Sequence, residues 1–253
     1  MDINKPWNSF PIDIFLLGSG IYSTCQFTVE AVQALQVCKK VLVLHDDLAI
    51  LERVRSWCAE VVDMAYLFQA GSYRADVYHE LSQRLIQEAS HWRPIALLVH
   101  GHPLFLVSAS EHTIVEAERA GYRTKVLPGI SSLDTILIDL KIDLGYAVQA
   151  YDATYMVTQR IMPNPLVPLL IFQVATTCFD LIAMDDPPTE RLAPLRDLLC
   201  QIYPPSHMVT FVHSATHILE RAECKSIPLE KLDRSHDIEL RRRPTIYVPP
   251  VPT

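Results

Sequence analysis

His100 and His102 stand two residues apart in the run I-A-L-L-V-H-G-H-P-L-F, Ile95 to Phe105. Imidazoles can donate, accept or carry a proton near neutral pH, and histidines at close spacing can also ligate a metal. The Gly101 between them lets the backbone turn sharply and approach a ligand, while Pro103 fixes the exit and removes an amide donor. A second run, Pro128-Gly129-Ile130-Ser131-Ser132, offers hydroxyls that can cap a following helix and leave its first backbone amides to meet a polar ligand. Locally each run also has a plain reading, an ordinary polar turn in one case and simple helix capping in the other. Both readings stand at this point.

Such residues need strands and helices to hold them. Ile95 to Val99 is a bare apolar run, the pattern of a strand buried on both faces, and the loop at the carboxyl end of such a strand is where open α/β sheets bind ligands. Asp13 to Leu17 is a similar short run entering Gly18-Ser19-Gly20, with a periodic segment from about Thr28 to Cys38 behind it. The G-x-G resembles the start of a dinucleotide fingerprint, but Ser23 stands where its third glycine would fall, so a Rossmann site is disfavoured. Lys40 to His45 reads as a second strand closed by Asp46-Asp47, Leu48 to Ala59 as a helix, and Val61 to Phe68 as a third strand. The spacing of Val77, Leu81, Leu85 and Ala89 predicts a helix over about 74–90 with one buried stripe. Ser108 to Ala120 reads as helix, Arg123 to Leu127 as a fifth strand, and Leu133 to Leu140 as helix. Strands alternating with helices make this half a parallel α/β layer.

The pattern changes around Asp143-Leu144-Gly145. Prolines then crowd at 163, 165, 168, 187, 188, 204 and 205, between strand-like runs at Leu169 to Ala175, His207 to Val212 and Thr245 to Val248. Leu192 to Ile202 looks helical, and Leu229 and Leu232 fit a short helix. The expected organisation is a parallel α/β domain over 1–144 and a mixed α+β domain over 145–253, the latter with hairpin-like pairing.

With 253 residues and 49% of them apolar, the chain can bury a real core without covalent staples. The net charge of −7 comes from interspersed acids, which argues against nonspecific nucleic-acid binding, and Arg241-Arg242-Arg243 is too short to change that. Six cysteines without C-x-x-C spacing read as reduced thiols. There is no signal-peptide pattern in M-D-I-N-K-P-W-N-S-F-P and no run approaching the roughly 18 apolar residues of a membrane span, so a cytoplasmic protein without membrane or nucleic-acid partners is expected.

Four runs in order, G-S-G-I at Gly18, G-H-P at Gly101, P-G-I-S-S-L-D at Pro128 and D-L-K-I-D-L-G at Asp139, resemble the tetrapyrrole methylase superfamily, the class III methyltransferases that use S-adenosylmethionine (SAM). Cys25-Gln26-Phe27-Thr28, Ala120-Gly121-Tyr122-Arg123, Tyr151-Asp152-Ala153-Thr154, Phe172-Gln173-Val174 and Thr245-Ile246-Tyr247-Val248-Pro249-Pro250 are similar to the borosin α-N-methyltransferases, which methylate backbone amides of a ribosomal precursor. The resemblance covers nearly the whole chain. It implies a two-domain α/β fold with SAM in the cleft between the halves, held by His100, His102, Pro103, Phe105 and Leu106, by Ser131 and Ser132, and by Gln173 and Thr245. Methyl displacement needs no metal, so under this resemblance H-G-H reads as polar contacts rather than as part of a four-ligand zinc site.

An amide nitrogen is a poor nucleophile because its lone pair is delocalised into the carbonyl. Borosin enzymes are similar in placing an Arg and a Tyr four residues apart at the start of a helix, a spacing kept in Arg74-Ala75-Asp76-Val77-Tyr78. The resemblance makes Arg74 the cation for the developing imidate oxygen and Tyr78 the hydrogen-bonding or proton-accepting phenol. Without it, an Arg and a Tyr at that spacing are an ordinary surface pair. Where the family has upstream tyrosines the chain has Ala65 and Phe68, with Tyr66 and Tyr73 nearby; where it has Tyr before G-H-P the chain has His100, itself a group that could act as a base; after G-H-P, Leu104 replaces Gly. Fused borosins continue into a clasp and the substrate, whereas this sequence stops at Thr253, so the expectation is the split type: a homodimer acting on a separate precursor peptide in trans. Two other functions remain open, a SAM-dependent methyltransferase of a tetrapyrrole or other small molecule, against which the acidic balance weighs, and a non-catalytic SAM- or peptide-binding module.

Overall fold

The computed structural model describes residues 11–45, 47–143, 145–183 and 185–252. Asp46, Leu144, the stretch before Pro11 and Thr253, which figured in the sequence reading, lie outside the described residues. The chain forms two compact units, one running up to Ser132 with Thr216–Ile218 added, the other comprising Leu133–Ala215 and Leu219 onward.

The first unit alternates strand and helix: β1 (Ile14–Gly18), α1 (Val29–Val37), β2 (Lys40–Leu44), α2 (Leu48–Arg55), β3 (Val61–Asp63), α3 (Arg74–Ala89), β4 (Ile95–Val99), α4 (Ser108–Arg119) and β5 (Thr124–Leu127). All five strands are parallel, in the order β3-β2-β4-β1-β5. Every residue of β1 and β4 is buried, as continuous apolar runs in a sheet covered on both faces must be. On one face Phe15, Leu17, Val41, Val43, Ala96 and Leu98 pack with Leu35 of α1 and Ile50 and Val54 of α2. α3 lies against β4 and α4, and it buries the expected Val77, Leu81, Leu85 and Ala89. Ser82, also buried, donates to the carbonyls of Tyr78 and Ala109, at 3.0 and 3.3 Å, and receives the Thr113 hydroxyl at 3.2 Å, so small polar residues let α3 and α4 approach.

Helix starts follow their caps: the Thr28 hydroxyl accepts from the Ala31 amide and the Asp47 carboxylate from the Ala49 amide. The third strand departs from expectation. Only Val61–Asp63 pairs, and Ala65–Leu67 turns into a 3-10 helix, because the Asp63 carboxylate accepts the Ala65 amide at 2.8 Å and bends the chain off the sheet.

From Leu133 the second unit takes in the rest of α5 (Ser132–Leu140) and continues through β6 (Gln149–Asp152), α6 (Ala153–Thr158), β7 (Leu169–Phe172), α7 (Ala193–Leu199), β8 (Met208–His213), β9 (Glu223–Pro228) and β10 (Thr245–Val248). Its sheet runs β6-β7-β10-β8-β9, antiparallel except for the parallel pair β6 and β7. Leu169, Ile171, Val209, Phe211, Ile246 and Val248 line one core with Met156 of α6 and Leu195 and Leu199 of α7. The sequence pattern missed β6, which has no fully buried residue, and β9, which has one, so neither shows an alternation of buried and exposed positions. It also overextended β7, which ends where Gln173 takes a left-handed conformation and a 3-10 turn, Val174–Thr176, begins. Among the described residues no helix is long and apolar enough to cross a membrane.

Candidate functional site

The carboxyl edge of the parallel sheet gathers the chemistry-bearing loops of the first unit. Across it, in strand order, come the segment from β3 into α3, His45 after β2, His100 after β4, Gly18-Ser19-Gly20 at the end of β1, and Pro128-Gly129 after β5. Three of these loops meet backbone to backbone. A Cβ on Gly18 would lie 2.1 Å from the Gly101 carbonyl oxygen and 3.0 Å from the Gly129 Cα; one on Gly129 would lie 2.4 Å from the same oxygen. Gly20 and Gly101 exchange amide bonds of 3.3 and 3.0 Å, both at positive φ. The Gln26 side-chain oxygen then accepts the Ile21 and Tyr22 amides at 2.7 and 2.9 Å and fixes the outgoing loop.

His100 is exposed, and its Nδ1 lies 3.0 Å from Nε2 of the buried His45. His102 is half-buried and its Nδ1 accepts the Leu104 amide at 3.0 Å. Pro103 is buried, Phe105 half-buried, and Leu106 exposed at φ +60, a backbone conformation that a bulky side chain adopts only under constraint. Leu104, Leu106, Val107, Glu111 and Ile114 line a groove of about 470 Å³ beside this loop. Ser131 is buried and Ser132 opens α5.

Arg74 and Tyr78 occupy the first two turns of α3, both half-buried, with the Tyr78 ring 6.0 Å from that of Phe68. Tyr73 is the exposed N-cap residue, and Tyr66 is exposed on the preceding 3-10 turn. In the second unit Gln173 follows β7 at φ +57, and the buried Thr245 opens the neighbouring antiparallel β10, so the two come to one end of that strand pair. His45, Ser23 and Asp47 were not singled out from the sequence. The Ser23 hydroxyl donates to the Asp47 carboxylate at 2.6 Å, and the Asp47 amide donates to His45 Nδ1 at 2.9 Å. The Ser23 hydroxyl, before the Ala49 amide and the two imidazoles, holds the Asp47 carboxyl below its usual range against the opposing effect of burial. Among the described residues no group of three or more His, Cys, Asp or Glu stands where it could hold one metal ion.

A convergence of glycine loops, imidazoles and hydroxyls at the carboxyl ends of parallel strands suits a small polar ligand. The family model of tetrapyrrole (corrin/porphyrin) methylases matches residues 13–223. The chain belongs to the tetrapyrrole methylases. It is 26% identical, over 97% of its length, to a methyltransferase/ribosomally synthesized type III borosin cyclic peptide precursor of Anomoporia bombycina, of which it spans 29%. It is 27% identical, over 93% of its length, to a type II borosin precursor of the same kind from Phlebiopsis gigantea, of which it spans 42%. The methylase thus covers less than half of these relatives. Its fold matches the uroporphyrin-III C-methyltransferase of Thermus thermophilus, solved with S-adenosyl homocysteine, at a TM-score of 0.61 and 18% identity over 93% of this chain and 96% of that one. The α/β class III methyltransferase fold implied by the loop motifs is the fold found, with one parallel and one mixed sheet.

Proposed function

We propose that this methylase N-methylates backbone amides of a ribosomal precursor peptide, which reaches it as a separate chain, and that it works as a cytoplasmic homodimer. The observation that carries the reading is the pairing of Arg74 and Tyr78, one turn apart at the start of α3, with the glycine cradle on the same edge of the sheet. The borosin names of relatives that match nearly the whole chain support it.

The cradle suits SAM. Its glycines keep side chains out of the meeting point of three loops, so backbone amides and carbonyls, with His100, His102, Ser131 and Ser132, can meet a carboxylate, a ribose and an adenine. Pro103, Phe105 and Leu106 supply apolar surface beside them. Bound SAM supplies a methyl group on a positively charged sulfur that departs as a neutral thioether. Arg74 stabilises the negative charge that grows on the acceptor's amide oxygen as its nitrogen becomes nucleophilic. Tyr78 passes the amide proton towards solvent, with Tyr73 beside it to hold the peptide.

The family itself favours a second reading, methylation of a tetrapyrrole. Incubating the purified protein with SAM and candidate precursor peptides, and reading both chains by mass spectrometry, separates the two. Methyl increments on backbone amides of the added peptide are expected. Increments confined to the enzyme itself, or seen only on a tetrapyrrole offered in parallel, would refute the proposal.

A further inference from the structure

The register of the parallel sheet pairs Leu44 with Val99, so the next residues, His45 and His100, leave neighbouring strands side by side. Their rings meet edge to face with centroids 4.9 Å apart. A backbone amide can only donate, so the Asp47 amide, 2.9 Å from His45 Nδ1, requires that nitrogen to be unprotonated. The proton of a neutral His45 is then on Nε2, which faces His100 Nδ1 at 3.0 Å. His100 Nδ1 must in turn accept, which puts the His100 proton on its own Nε2. His102 obeys the same logic, its Nδ1 receiving the Leu104 amide at 3.0 Å. The origin of this order is firmly held, because the Asp47 side chain caps α2 through the Ala49 amide and is bound by the Ser23 hydroxyl.

We propose that His45 is a positioning residue for the reaction: by holding His100 in its Nε2–H form, it makes the H-G-H loop a hydrogen-bond donor to an oxygen of the bound reactants and removes His100 from the role of general base. A base needs a lone pair to receive the proton, and the Nδ1 lone pair of His100 is engaged by His45. What an Nε2–H recognises is an oxygen lone pair, and two sources have one, the carboxylate of SAM and the carbonyl of the acceptor amide. The identity of these reactants rests on the function proposed above; the tautomer does not.

The test begins without any substrate. In the full chain labelled with 15N-histidine, long-range proton–nitrogen spectra at about pH 8 should report the Nε2–H form for His45, His100 and His102. An Nδ1–H form at His100 would overturn the proposal. His45→Phe, which keeps a ring but no donor, should shift His100 to a mixture of forms, while His45→Gln, whose amide can still donate, should retain the wild-type form. With His45→Phe folded, S-adenosyl homocysteine affinity should fall about tenfold if the oxygen is the cofactor's carboxylate, or kcat/KM for the peptide should fall about tenfold if it is the acceptor's, and His45→Gln should recover most of the loss. Both quantities unchanged in folded His45→Phe would also overturn it. A protein that methylates no peptide counts against the proposed function alone, because the tautomers and the S-adenosyl homocysteine affinity are read without one.

Discussion

The carbonyl oxygen of Gly101 occupies the place where a Cβ on Gly18 would stand, with only 2.1 Å between them. Carbon and oxygen that are not bonded need more than 3 Å, and the clash would be with backbone on both sides, so neither partner can rotate out of the way. Gly18→Ala and Gly129→Ala should therefore push apart the loops after β1, β4 and β5. The expected cost is about 1–3 kcal/mol of stability with at least a tenfold loss of S-adenosyl homocysteine affinity. Thermal melts and isothermal titration check both; a Gly18→Ala protein that binds as tightly as wild type would show that the cofactor does not use this meeting point.

Arg74 and Tyr78 provide a different separation. Both sit at the start of α3, the helix that follows β3, whereas the glycine cradle is built from the loops after β1, β4 and β5. Replacing Arg74 by Ala removes a fixed cation, and replacing Tyr78 by Phe removes one hydroxyl while keeping the ring beside Phe68. Each should lower the rate of methyl transfer about a hundredfold or more and leave S-adenosyl homocysteine affinity within about twofold. Loss of cofactor binding in either variant would move α3 to the cofactor side.

How much of this could be read from the sequence depended on whether the signal was local. β1, β4, the α3 stripe and the glycine loops were legible because continuous apolar runs, a 3.6-residue period and G-x-G or P-G turns each have a short-range physical cause. The strand β9 was not legible, since Glu223, Cys224 and Ser226 are exposed and only Ile227 is fully buried, which leaves no alternation to detect. His45 was missed for a topological reason. Its partner His100 is 55 residues away, and the two meet only because β4 inserts between β2 and β1, a strand order that no local pattern encodes. The signal that could have found it is positional: both histidines directly follow a buried parallel strand.

His213 should give the second unit a pH-dependent stability. It ends β8, is buried, and among the described residues its Nδ1 has no hydrogen-bond partner. Burial, then the Arg242 guanidinium, push its pKa below the ordinary histidine value, with Glu223 and Glu239 opposing. As pH falls below about 6.5 the unfolded chain takes up a proton that the native one refuses, so stability is lost through that window and regained on returning to neutral pH. Urea midpoints should accordingly drop between about pH 7.5 and 5, and His213→Gln should flatten the curve over that range. An equally steep curve in the variant would assign the acid sensitivity elsewhere.

Asp47 contributes through two separable parts of the residue. Its carboxylate accepts the Ala49 amide at 2.8 Å and the Ser23 hydroxyl at 2.6 Å, whereas its backbone amide donates to His45. Asp47→Ala removes the cap of α2 and should cost about 1 kcal/mol, measured by denaturant titration at neutral pH. Asp47→Asn keeps an oxygen for the Ala49 amide and should cost less at that pH. The charge shows itself in acid. Because the Ser23 hydroxyl holds this carboxyl below its usual range, its contribution is fully present above about pH 3.9 and disappears as pH falls through the lower native value. Asp47→Asn should lose this part of the acid dependence while leaving His100 in the Nε2–H form, since the amide that sets the tautomer belongs to the backbone and survives the substitution. A shift of the His100 tautomer in Asp47→Asn would instead mean that the carboxylate, and not the backbone, orders the imidazole pair.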